Sequence, residues 1–157
     1  MLTLALLAVL AADDGCTLSE EALRSQLEPS KLPKGAKVTG SGRVDRLFRE
    51  TLSLANGLEV KMQIGGCAHL GIEVSFSGKP LNGLAPAAAL ALVKKQLAAL
   101  PLREHAHLPA ALFIAALGKL EPLPAKFPAP LQCEAEFVTC ELDVNPSSVR
   151  LGYDFAL

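Results

Sequence analysis

A chain of 157 residues, half of them apolar and a fifth charged, is long enough for one domain with a substantial core and too apolar to stay disordered. Its formal charge of −1 gives no general basic face for nucleic acid. One Tyr, six Phe and no Trp leave little for stacking on bases or sugars. We therefore expect no nucleic-acid partner.

The chain opens with an apolar run from Leu2 to Ala12, followed by Asp13 and Asp14. Crossing a bilayer takes about 20 apolar residues, so stable membrane insertion is not expected. The run matches the apolar region of a secretory signal, with Val9 and Ala11 as small residues near a cleavage point. It lacks the Lys or Arg that usually comes first, and a buried first strand or helix is the competing reading. We expect residues 1–12 to be a signal peptide and residues 13–157 to form one disulfide-containing domain. The product is then exported, either periplasmic or secreted. A lipoprotein anchored through Cys16 is disfavoured, because Asp13 and Asp14 intrude where small or apolar residues are wanted.

In an exported chain, Cys16, Cys67, Cys133 and Cys140 read as up to two disulfides. Four cysteines allow three pairings. No C-x-x-C pair supports a redox site or a zinc ribbon. A fully extended Cys133–Cys140 segment would hold its ends about 23 Å apart, too far to bond. Cys133 follows a proline-rich loop and can fold back, so the expected set is Cys16–Cys67 with Cys133–Cys140.

Thr17 followed by Glu20 forms a capping-box pattern and predicts a helix reaching towards Leu27. Pro29 and the Pro33-Lys34-Gly35 cluster stop it. Leu58, Val60, Met62 and Ile64 alternate with polar residues, as half-buried strands do. Phe48, Leu52 and Leu54 share a parity before that strand, and Ala68 to Phe76 alternate after it. These segments predict a three-stranded meander.

Register fixes the loops, because a one-residue slip puts every side chain on the wrong face. A loop of Ala55, Asn56 and Gly57 sets Leu54 against Leu58 and Leu52 against Val60. Gly57 then falls where a left-handed residue is wanted. After Ile64, a loop from Gly65 to Cys67 sets Val74 against Leu58, and a longer loop from Gly65 to His69 keeps the same parity. Either loop leaves Cys67 in a turn and His69 in the turn or on the polar face.

Leu90, Val93, Leu97 and Leu100 recur at helical spacing between Pro86 and Pro101. A second, apolar helix is predicted from Pro109 to Leu117, ending at Gly118. Pro122 to Pro130 reads as a surface loop. Residues Phe137 to Val144 and Val149 to Leu157 alternate and predict a C-terminal hairpin. The fold class is thus α+β: an antiparallel sheet, made of a meander and a hairpin, with helices packed on one face.

Candidate chemistry is sparse. Cys67 and His69 are two residues apart and could face each other as nucleophile and base. No local motif supports that, and an oxidising compartment favours a paired Cys67 with a surface His69. Both are kept as tentative binding residues. His105 and His107 could share a face as metal ligands, with His69 and Glu104 completing a set, although one H-x-H pair is a weak signal. The more ordinary reading is a polar linker between helices. The glycine pairs open no phosphate loop, and no G-x-S-x-G is present. Glu134, Glu136, Glu141 and Asp143 read as a solvated strand face. No catalytic residue and no cofactor are assigned.

Three function classes follow. The leading expectation is an exported, non-enzymatic binding or inhibitory module with a protein partner. The others are a metal-binding envelope protein using His105 and His107, and a small hydrolase with an unrecognised site.

Overall fold

The computed structural model describes residues 23–67, 69–104, 106–134 and 137–156. Among them are seven strands and two helices. The strands are β1 (Lys37–Val44), β2 (Leu47–Ser53), β3 (Leu58–Gly66), β4 (His69–Gly78), β5 (Ala129–Leu131), β6 (Val138–Asn145) and β7 (Ser148–Ala156). They form one sheet in the order β1-β2-β3-β4-β7-β6-β5, with every neighbouring pair antiparallel. The chain climbs through β1 to β4 as a meander. It leaves the sheet through α1 (Pro86–Ala99) and α2 (Ala110–Gly118), then re-enters at the far edge as β5. From there β6 and β7 step inward until β7 pairs with β4.

Alternation makes the sheet two-sided. Val60, Phe76 and Val149 stand in one cross-strand row, and Met62, Val74, Leu151 and Leu142 in the next. All of them are buried. α1 turns Ala89, Leu90, Val93 and Leu97 into the same core, at the three- and four-residue spacing of one helix face. α2 adds Phe113, whose ring meets Tyr153 edge-on at 6.5 Å between centroids. Each fully buried Leu or Phe contributes about 1.5–3 kcal/mol through removal from water. Among the described residues no helix is long and apolar enough to cross a membrane.

Several expectations need correction. The meander has four strands, not three. β1 was invisible to pattern because nearly all of Lys37–Val44 is exposed on both faces. β5 overlaps the end of the stretch read as a proline loop; its Pro130 fits because the strand is at the sheet edge. The three-residue loop at Ala55–Gly57 is present, with Leu52 opposite Val60 and Gly57 at φ 83°. The next register differs: Leu58 pairs with Gly78, so Val74 lies opposite Met62. Parity is as expected, but Gly65 and Gly66 extend β3 instead of turning the chain, and reversal follows at Cys67. The start of the predicted N-terminal helix lies outside the described residues. Its predicted end is not helical. Leu27 forms an antiparallel bridge with Leu102, and Glu50 draws the amides of Gln26 (2.9 Å) and Leu27 (3.3 Å) into hydrogen bonds instead.

Candidate functional site

The face turned away from the helices carries a groove of about 690 Å³. Register explains its floor. Gly65 pairs with Gly71, Gly71 with Asp154, and Gly152 sits between Glu73 and Glu141. Three strands therefore lack side chains at neighbouring points. Gly65 is obligatory: a Cβ there would stand 2.5 Å from the Arg46 carbonyl oxygen. Gly71 and Gly152 have room, with nearest neighbours at 3.5 and 3.8 Å. Their lack of side chains shapes the groove without being needed by the backbone.

A polar ladder runs along this floor. Arg49 Nε donates to Gln63 Oε1 at 2.9 Å, and Gln63 Nε2 to Glu73 Oε1 at 3.3 Å. Arg150 then bridges Glu73 at 3.2 Å and Glu141 at 2.8 Å. The chain of contacts crosses β2, β3, β4, β7 and β6. The hydrogen bond to Glu73, with the charges of Glu73, Glu141 and Asp143 beside it, holds the Arg150 pKa above its ordinary value. Asp154 lines the groove at its other end and meets His69 Nδ1 at 3.3 Å. Three carboxylates, from Glu73, Glu141 and Asp154, thus face one guanidinium in the groove lining.

Cys67 is itself bonded in a disulfide, so it offers no thiolate to His69. The nucleophile-and-base arrangement is not formed. Its expected partner, Cys16, lies outside the described residues. Cys133 and Cys140 are bonded, with Cα atoms 6.0 Å apart. His69 begins β4, exposed, and its partner is a carboxylate. His105 lies outside the described residues. The His107 amide donates to the buried Gln26 side chain at 2.5 Å, and burial, then Arg24, lowers the His107 pKa. Among the described residues no three or more His, Cys, Asp or Glu side chains gather as a metal site.

Of the acidic residues expected on a solvated face, Glu134 and Glu141 are exposed and Asp143 is half-buried. Glu134 pairs with Lys119 at 2.5 Å, and that hydrogen bond lowers its pKa. Asp143 accepts from Asn145 at 3.1 Å. Glu136 lies outside the described residues. Glu141, by contrast, belongs to the groove. Gln63, Glu73, Arg150 and Asp154 were missed as site residues. Their polar parity was readable, but the β4–β7 pairing that assembles them joins segments more than 70 positions apart.

Compared with known proteins, the chain matches no family model, no curated protein and no solved structure.

Proposed function

We propose that this chain is an exported, non-enzymatic binding module of the cell envelope or secreted space, and that it engages a protein partner through the groove on its polar sheet face. One observation carries the reading. Gly71 and Gly152 hold the groove open where the backbone would accept larger residues, beneath a ladder of polar and charged side chains crossing five strands. A sheet face needed only for solubility has no use for such a hollow. Ligand sites are concave, with a few placed polar groups. Export is supported by the apolar N-terminal run and by the Cys133–Cys140 bond, which persists in oxidising compartments.

The test fills the groove. Gly71→Leu and Gly152→Leu both add a side chain where a Cβ meets only ordinary contacts. Partner retention from a cell-envelope extract is measured for each variant and for the wild type, with circular dichroism as the check on folding. The expected result is a folded protein that loses its partner in both variants. Retention in both removes the groove as the binding surface. Hydrolytic turnover by purified protein that vanishes in Glu73→Gln makes the chain an enzyme instead. Mass spectrometry of the native product tests export: cleavage after the apolar run supports it, and retained Met1 with four free thiols overturns it.

A further inference from the structure

Phe137 is 78% exposed and sits at φ 61°, in the left-handed region that aromatic residues avoid. It lies in the loop that the Cys133–Cys140 bond closes, two residues before Thr139, which lines the groove. The turn alone would be better served by glycine, which adopts this conformation without steric cost. The ring contributes nothing to the core, where Phe76 and Phe113 are fully buried. Strained residues that bring the fold no packing are concentrated at functional sites.

Carboxylates outnumber guanidinium groups in the groove beside it, even with Arg49, which ends the ladder on Gln63, set beside Arg150. Glu73, Glu141 and Asp154 outnumber Arg150, and both nitrogen contacts of Arg150 go to the first two of these. An aromatic face attracts cations through its quadrupole, as carboxylates do through their charge. Both features therefore select the same chemistry.

We infer that Phe137 and the adjoining groove form one docking surface for an extended, lysine- or arginine-bearing segment of a partner protein. This rests on the binding reading above and specifies its ligand. The glycine floor takes the aliphatic stems of the long basic side chains, which bury their stems while keeping their charge near polar groups. Asp154 and Glu141 receive the cationic ends, and Phe137 covers one of them. The Cys133–Cys140 bond tethers the chain on either side of Phe137 before the partner arrives, reducing what binding must order.

The probe is an alternating Lys-Ala peptide about eight residues long, a strand-sized segment. An alternating Glu-Ala peptide serves as control. Amide chemical shifts and peptide fluorescence anisotropy are read on the full chain in its oxidised form. The Lys-Ala peptide is expected to shift the amides of Gly71, Gly152 and Phe137, and the control is expected to leave them in place. Affinity should fall several-fold between roughly 50 and roughly 200 mM salt, as screening weakens exposed charge pairs. An Asp154→Asn/Glu141→Gln double variant should weaken binding about tenfold.

Phe137→Gly is the decisive variant. It relieves the backbone, so its thermal midpoint should be unchanged or higher, while affinity falls about fivefold. Equal binding of the Glu-Ala peptide overturns the inference. So do shifts confined to the helices, no shift at about millimolar Lys-Ala peptide, or unchanged affinity in Phe137→Gly. Failure here is distinguishable from failure of the groove itself. A partner lost in Gly152→Leu, together with no Lys-Ala binding, sinks only the ligand class, whereas a partner retained in both filled variants sinks the groove.

Discussion

Burial around His107 favours its neutral form, and the nearby charge of Arg24 acts in the same direction. Its folded pKa therefore lies below the unfolded value. As pH falls through the ordinary histidine range near about 6.5, the unfolded chain takes up the proton first. Stability is lost from there down to the folded pKa, and below it this contribution no longer changes. A His107→Gln variant should lose less stability than the wild type between about pH 7.5 and about pH 5.5, measured as the shift in urea midpoint. The two chains share every carboxylate, so the difference isolates the imidazole. Equal shifts would show that His107 is as well hydrated in the fold as in the open chain.

At the level of the element, the Cys133–Cys140 bond ties the end of the β5 segment to the start of β6 across seven positions. Closing so short a loop restricts the unfolded chain by about 2.5 kcal/mol in the chain-entropy picture. A Cys133→Ala/Cys140→Ala variant should lose about 2–3 kcal/mol in urea unfolding, with further loss from the buried Cys140 site. If the loss is below about 1 kcal/mol, the turn at Phe137 holds itself, and the staple matters only for binding. The strain at Phe137 was not legible in the sequence, because a left-handed turn is usually announced by Gly or Asn. Elsewhere legibility followed burial. β3, β4, β6 and β7 bury one face and show it as alternation, and α1 shows its buried stripe as Leu90, Val93 and Leu97. β1 buries neither face, and the three residues of β5 are too few for a period to develop. Gly65 and Gly66 suggested a turn because glycine usually marks one; here Gly65 is needed for a close approach between strands. The groove followed from long-range pairing of β4 with β7, which no local pattern encodes.

Across the whole molecule, two buried polar side chains join parts of the chain that the sheet alone leaves separate. Leu23 and Leu27 are packed into the core. Glu50, on the core face of β2, accepts hydrogen bonds from Ser25 Oγ at 2.5 Å and from the amides of Gln26 and Leu27. Gln26 reaches the other way, its Oε1 accepting from the amides of His107 at 2.5 Å and Leu108 at 3.1 Å in the α1–α2 linker. Arg103 reinforces this side, donating through Nε to the Leu27 carbonyl at 2.8 Å. Among the described residues no buried side-chain nitrogen or oxygen lacks a partner. The clasp is thus fully satisfied, the condition under which a buried network adds order and not cost. Either Glu50→Ala or Gln26→Ala strands backbone amides away from water, at about 2–3 kcal/mol each. The two losses should not add. Once Glu50 is gone, the segment around Gln26 loosens, water reaches the linker amides, and removing Gln26 then costs less. A double-mutant cycle in urea should show a coupling of about 1–2 kcal/mol, with the double variant less destabilised than the sum. Additivity within about 0.5 kcal/mol would mean that the sheet and the linker grip the segment independently. Coupling would make sheet, segment and linker one cooperative unit, keeping the groove-bearing sheet rigid behind its polar face.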